Sequence, residues 1–322
     1  MRCLVTGGAG FIGSHLVDSL ISDGHDITVV DDLSTGSFSF SNLSLVENNR
    51  RFEFIEGDIV DLPELEYLIS KADIVYHLAA AVGVELVVRD PVHTIVTNVH
   101  GTERILKYAS KCGTRVLLTS TSEVYGKSDR DIFSETDDLL IGPPSHSRWS
   151  YACSKLLDEF YCMAYFRSYK LPVVIARLFN TVGPRQTGQY GMVVPRFVEK
   201  ALKGEPLHVY GTGEQTRCFC HVHDTVRALR KLGESDISGE VYNIGSEWNS
   251  SIIQLAEMII KRLNSSSKVK YISYDEAYEP GFEDMLHRFP DTAKIKEKLG
   301  WHTEYSLEKI IDDVADYFRT KK

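Results

Sequence analysis

The sequence has no apolar run long enough to cross a bilayer, so no membrane-spanning segment is expected. A signal peptide is not expected either, because the first strand-like stretch begins almost at Met1. Paired cysteines are missing. Cys3, Cys112, Cys153, Cys162, Cys218 and Cys220 are scattered and form no CxxC pair, which points to reduced thiols in a cytoplasmic protein. Cys218 and Cys220, two apart in a strand-like stretch, would share a face with no room for an easy disulfide. Basic charge is in short supply: 36 Lys and Arg stand against 45 Asp and Glu, a net charge of −9, which argues against nucleic acid as a partner. There is no internal repeat and no metal-ligand set; His221 and His223 lie in a strand-like stretch without partner ligands. What is present, 322 residues that are 43% apolar and 25% charged, suits a globular enzyme of one large domain or two modest ones.

From residue 1 to about 178 strand and helix patterns alternate. Strands are predicted over 2–6, 26–31, 52–56, 73–78, 114–120 and 172–178, and helices over about 11–23, 61–70, 91–112 and 149–170. Such alternation implies an α/β fold: a doubly wound parallel sheet of Rossmann type, with ligands at the carboxyl ends of its strands. Residues 34–50, rich in Ser and Asn, read as a loop beside an adenosine. After about 180 glycines and prolines punctuate short elements. A helix at 222–234 and a strand at 240–244 would return to the main sheet. Helices at about 251–263, 291–298 and 306–319 and a strand near 268–274 would complete a smaller mixed α/β C-terminal substrate lobe. The expected division is residues 1–179 plus about 218–245 for the dinucleotide, and about 180–217 plus 246–322 for the substrate.

The chain is organised around its first strand and turn. Cys3 to Val5 are apolar, glycines follow at 7, 10 and 13, and a helical pattern begins at Phe11 and Ile12. Gly7 would allow a tight turn, Gly10 a close approach to pyrophosphate, and Gly13 close packing of helix on strand. The helix N-terminus then faces the anion. The second strand ends in Asp31 and Asp32, about 20 residues on, where a carboxylate accepts from the ribose diol and repels a 2′-phosphate. That favours NAD over NADP.

Tyr151 and Lys155 are four apart on a predicted helix and share a face. An ammonium one turn from a phenol would lower the tyrosine pKa towards neutrality and let the phenolate act as a base. The strand before it ends in Thr119, Ser120, Thr121, Ser122 and Glu123, hydroxyls and a carboxylate that would surround the reacting oxygen.

The run from Thr6 to Gly13, Asp58-Ile59, Leu78-Ala79-Ala80, Asn98, the stretch Thr119 to Gly126, Tyr151 with Lys155, and Arg177 to Asn180 together resemble the extended short-chain dehydrogenases/reductases. More narrowly, they resemble the NAD-dependent nucleotide-sugar epimerases, dehydratases and decarboxylases. The resemblance implies that Asp58 and Ile59 flank adenine, that Leu78, Ala79 and Ala80 line the nicotinamide side, and that Asn98 belongs to the cofactor's surroundings. It implies that Thr121 holds the sugar O4, that Tyr151 is the base, and that Lys155 is its partner and a ribose ligand. Arg148, Asn180 and Val193 would contact the substrate, with Asn180 on the diphosphate, and Arg217 and Arg288 would clamp that diphosphate. A homodimer is implied through helices 91–112 and 149–170, whose apolar positions include Ile95, Val99, Ile105, Leu106, Leu156, Phe160 and Met163.

All three reaction classes begin with oxidation at C4 to a 4-ketose. Epimerisation needs nothing more. Dehydration needs a further base and acid, and decarboxylation needs a carboxylate at C6. Glu123 stands where dehydratases and UDP-glucuronate decarboxylases carry a glutamate, and the Arg148-Trp149 pair resembles the decarboxylases acting on UDP-glucuronate, as does Gln215-Thr216-Arg217. Ser122 stands where sugar 4,6-dehydratases carry an Asp. The loop Ala81 to Glu85 lacks the proline- and tyrosine-bearing segment of the decarboxylases. The leading expectation is therefore C4 epimerisation of a UDP-linked glucose or glucuronate. UDP-glucuronate decarboxylation comes second and 4,6-dehydration with Glu123 third. A relative that binds NAD without catalysis is disfavoured by intact Thr121, Tyr151 and Lys155.

Overall fold

The computed structural model describes residues 1–34, 40–82, 90–188, 192–273, 276 and 288–320. The loop Ala81 to Glu85 is described only as far as Val82; Gly83, Val84 and Glu85 lie outside those residues.

The first half of the chain alternates as its pattern predicts. Strands β1 (Arg2–Thr6), β2 (Asp26–Asp31), β3 (Phe52–Glu56), β4 (Ile74–His77), β5 (Arg115–Thr121) and β6 (Val173–Leu178) are joined through α1 (Phe11–Ser22), α2 (Leu65–Lys71), α3 (Pro91–Cys112) and α4 (Trp149–Tyr169). The second half holds β7 (Thr181–Val182), α5 (Val193–Lys203), β8 (Leu207–Tyr210), β9 (Thr216–Cys218), β10 (Cys220–His221), α6 (Val222–Glu234) and β11 (Glu240–Ile244). It ends with β12 (Asn249–Ser251), α7 (Ile252–Arg262), β13 (Val269–Ile272), α8 (Ala293–Leu299) and α9 (Leu307–Thr320).

The main sheet has seven strands in the order β11-β6-β5-β4-β1-β2-β3, all paired in parallel. Its order reverses beside β1, so the cleft at the carboxyl ends of β1 and β4 sits at a topological switch point. Side chains alternate between two cores, as the two-residue period of a strand requires. Val5, Leu117, Val174 and Ala176 face α1 and α6. Leu4, Val116, Leu118, Val173 and Ile175 face α2, α3 and α4. A third core gathers Phe197, Val209, Leu255, Ile259 and Ile311 from α5, β8, α7 and α9.

Three local expectations differ from the structure. Cys218 and Cys220 do not share a strand: Phe219 separates β9 from β10, which pair with different partners. His221 ends β10, and its Nδ1 accepts from the His223 N–H at 3.1 Å, capping α6. The second helix starts at Leu65 rather than near 61, just after Pro63. Within the 34–50 segment, Phe40–Leu43 form a turn of 3-10 helix, and buried Asn42 donates to the Ala9 carbonyl at 3.0 Å. That bond buttresses the glycine turn from outside.

Candidate active site

The glycine turn is built for close approach. Gly7 has a φ of +72°, and a Cβ there would meet the Ala79 nitrogen at 2.6 Å, so a side chain is excluded by both strain and space. A Cβ on Gly13 would collide with the Gly7 carbonyl, so α1 sits directly against the turn. The N-terminus of α1 begins at Gly10, receives no side-chain cap and carries no acidic residue in its first turn. Its N–H groups and dipole therefore suit an anion. Asp31 is buried; one carboxylate oxygen accepts from the Ala9 N–H and the other from the Leu33 N–H, both at 2.9 Å. Burial pushes its carboxyl up, opposed by those two hydrogen bonds. Asp32 is exposed and accepts from Ser34.

A cleft of about 560 Å³ runs from this turn across the carboxyl ends of the strands into the C-terminal half. Gly7, Gly10, Phe11, Ile12, Gly13, Asp31, Asp32, Asp58, Ile59, Leu78, Ala79 and Ala80 line one end. Thr121, Ser122, Glu123, Arg148, Tyr151, Lys155, Asn180, Val193, Arg217 and Arg288 line the rest. Asn98 is the exception among the expected site residues. It lies behind the wall, its Oδ1 accepting from the Ala81 N–H at 2.8 Å and its Nδ2 donating to Ser154 at 3.0 Å. It fixes the loop after β4 to α4 and does not face a ligand.

Thr121 ends β5, accepts the Glu123 N–H at 3.2 Å and hydrogen-bonds the Tyr151 phenol. Glu123 lies between two guanidinium groups, 3.1 Å from Arg148 Nη2 and 2.5 Å from Arg288 Nη1. Burial alone would raise its carboxyl, but Arg288 and Arg148 hold it below the usual range. Glu123 is therefore a fixed anion rather than a ready proton acceptor.

Arg288, expected in a diphosphate clamp, closes in this structure on Glu123, two residues from Thr121, which puts it at the Tyr151 end of the cleft. Its Nε is buried and has no partner among the described residues. One expectation does change: the surroundings of the tyrosine do not acidify it. Burial first, and the Glu123 carboxylate second, push the Tyr151 phenol above its ordinary value, with the Thr121 hydrogen bond opposing them. The Lys155 ammonium is committed to Asp158 at 2.9 Å.

Asn180, at φ +31°, donates its side-chain amide to the Cys218 carbonyl. Arg217 lies on β9, where its Nη1 donates to the Thr216 carbonyl.

Sequence reasoning missed several lining groups. Arg196 of α5 lies 4.9 Å over the Tyr210 ring and donates to its hydroxyl at 3.0 Å. Gln215 donates to the Tyr210 carbonyl. Gln186 donates to the Thr181 carbonyl at 3.0 Å, and its Oε1 is buried without a partner among the described residues. The helical spacing of Val193, Val194, Phe197, Val198 and Ala201 was the available signal for α5. It was masked by Pro195 in the first turn, where proline costs no hydrogen bond.

The profile of the family described as GDP-mannose 4,6 dehydratase matches residues 4–314. The chain is 42% identical over 319 residues to a UDP-N-acetyl-alpha-D-glucosaminuronate decarboxylase of Bacillus cytotoxicus, covering 99% of this chain and 98% of that one. It is 38% identical over 323 residues to a UDP-glucuronic acid decarboxylase of Xenopus tropicalis, covering 99% and 72%. Among solved structures, the UDP-glucuronic acid 4-epimerase of Bacillus cereus, in complex with UDP-glucuronic acid and NAD, superposes with a TM-score of 0.89 at 29% identity over 100% of both chains. The UDP-glucose 4-epimerase of Thermotoga maritima, with UDP-glucose, gives 0.85 at 34% over 100% and 99%. The relatives at 42% and 38% are named decarboxylases, which overturns the expectation of C4 epimerisation. The residue that fits this outcome is Glu123, an anion held between Arg148 and Arg288 beside Tyr151, for which inversion at C4 alone has no use.

Proposed function

The chain belongs to the GDP-mannose 4,6 dehydratase family, among the extended short-chain dehydrogenases/reductases that act on nucleotide sugars, and we propose that within it the protein decarboxylates a UDP-linked hexuronate. The observation that carries this reading is Arg288. Its guanidinium lines the Tyr151 end of the cleft, is oriented by Glu123 and keeps an unpartnered Nε. A planar cation there suits a carboxylate at C6, which a neutral hexose lacks.

The cofactor is NAD; the glycine turn and α1 N-terminus would hold its diphosphate, and Asp31 and Asp32 its ribose. When bound, it would supply a reversible hydride acceptor for C4. Tyr151, in its phenolate form, receives the proton of the C4 hydroxyl, and Thr121 holds that oxygen. With a carbonyl at C4, the C6 carboxylate is in the β-position. The C5–C6 bond breaks, carbon dioxide leaves, and the electron pair moves onto O4, where Thr121 and Tyr151 donate hydrogen bonds. C5 then takes a proton from water, and Tyr151 returns its proton to O4 as the carbonyl is reduced. Arg288 orients the carboxylate before it leaves. Glu123, held ionised, is a poor base for the H5 abstraction that dehydration would require.

The C2 substituent, hydroxyl or acetamido, takes no part in this chemistry. Both UDP-glucuronate and UDP-N-acetylglucosaminuronate should therefore be offered with NAD and the product masses measured. Loss of one carbon dioxide from either supports the reading. A product of unchanged mass, or one lacking water, defeats it.

We further propose a homodimer. Ile105 and Leu106 are buried in the chain's own core, whereas Val92 and Ile95 of α3 and Leu157 and Phe160 of α4 are exposed, Phe160 at 65%. A second copy laying the same two helices across this face would cover them in an isologous contact.

A further inference from the structure

Lys155 is 2% exposed and Asp158, one turn on, is wholly buried. The other carboxylate nearby is not available as a counter-ion. Glu159 is spent on Arg177, with contacts of 3.0 and 2.7 Å, and on the Ser120 hydroxyl. Asp158 Oδ2 therefore meets Lys155 Nζ alone, at 2.9 Å. Its other oxygen, Oδ1, is buried without a partner among the described residues, with the Thr102 hydroxyl of α3 nearby. Thr102 lies 3.1 Å from His77 Nε2, and His77 Nδ1 lies 2.7 Å from the Thr6 hydroxyl. Burial, with the Lys155 charge second, lowers the His77 pKa to about 3, in keeping with an uncharged ring.

We propose that Asp158 is a positioning residue of the reaction: it anchors the Lys155 ammonium from below and balances its charge, so that Tyr151 responds to a paired lysine rather than to an isolated cation. The proposal rests on the reading of Tyr151 as the base. The charged groups around that phenol are Glu123, held by Arg148 and Arg288, and the Lys155–Asp158 pair. Around Asp158 they are Lys155 and the Glu159–Arg177 pair, with neutral His77 reached through Thr102. The Asp158 carboxylate is among the charges that hold the Tyr151 phenol up, so removing it exposes the phenol to an unbalanced ammonium.

The test is a near-ultraviolet titration of phenolate in the NAD-loaded protein and in Asp158→Asn, each corrected by the same titration with Tyr151→Phe. Asp158→Asn should hold roughly three- to tenfold more phenolate on Tyr151 at a fixed pH below the midpoint. The acidic limb of the kcat profile should move to lower pH in step, and Asp158→Glu should restore the original titration. An unmoved or alkaline-shifted titration overturns the proposal. If Asp158→Asn does not fold, Asp158→Ser removes the same charge, leaves room for a water and carries the same test. Full turnover by Tyr151→Phe would instead defeat the assignment of the base, which separates the two failures.

Discussion

Arg288 reaches the cleft from a segment remote in sequence from the helix that carries Tyr151, and it is oriented there by a single carboxylate at 2.5 Å. Replacing it with methionine keeps much of the side-chain volume and removes the charge. The loss of one charge-assisted hydrogen bond to the C6 carboxylate, worth about 1.5–3 kcal/mol, should lower kcat/KM for the uronate about 10- to 100-fold. NAD affinity, measured by calorimetry, should not change. Tyr151→Phe should abolish turnover and leave NAD bound, because the proton acceptor is lost while the pocket keeps its shape. Retained turnover would remove the phenol from the mechanism. The sequence pattern marks Arg288 as a cation of the site. Nothing in Arg288-Phe289-Pro290-Asp291 says which anion it meets, because that depends on how the C-terminal segment folds back towards β5. The Lys155–Asp158 pair went unread, because a three-residue spacing is the same for a buried pair as for a solvated one. That is why the tyrosine looked acidified until its surroundings were known.

At the level of elements, the alternating half of the chain was readable because each strand is an apolar run and each helix an amphipathic one. The glycine turn could be placed because Gly7 and Gly13 each meet backbone atoms that admit no side chain. Gly13→Ala should therefore push α1 away from its turn, destabilise the fold by about 1–3 kcal/mol and weaken NAD binding. A variant with unchanged thermal midpoint and unchanged NAD affinity would show that the turn tolerates a methyl group. Helix α5 was not readable: its apolar face is clear only once Pro195 is accepted inside the first turn. The helices α3 and α4 carry the opposite lesson. Their apolar positions were visible, yet burial of Ile105 and exposure of Phe160 follow from which face meets the sheet. Phe160→Glu should give a monomer by sedimentation or light scattering, and a dimer unaffected by that charge would move the interface elsewhere.

Across the whole molecule, α1, β10, α6 and α9 meet in a histidine cluster. His15 Nε2–H donates to the Pro184 carbonyl at 3.0 Å, its ring lies 5.2 Å from that of His223, and His221 lies 3.3 Å from Asp313. Burial lowers His15 to a pKa of about 3 and His221 to about 4, with smaller contributions from neighbouring charges. Unfolding returns both to about 6.5, so the unfolded chain binds more protons between those values and stability falls as pH drops below about 6.5. Each histidine contributes at most about 1.4 kcal/mol per pH unit in that window. The thermal midpoint should decline from pH 7 to pH 5, and His15→Gln should decline less steeply. Equal slopes would place the acid sensitivity elsewhere. This cluster was invisible in the sequence, where His15 stands far from His221 and His223 and carries no sign of meeting them. The parallel sheet and its ligand-bearing edge were visible, because they follow from the order of strands and helices alone.

The central claim concerns the fate of one carbon. UDP-glucuronate and UDP-N-acetylglucosaminuronate, each isotopically labelled at the C6 carboxylate, can be followed by carbon NMR in the presence of the protein and NAD. The account predicts that label from at least one of them leaves as bicarbonate in step with the appearance of a UDP-pentose, and that Tyr151→Phe stops both. Label retained in a sugar inverted at C4 would contradict it.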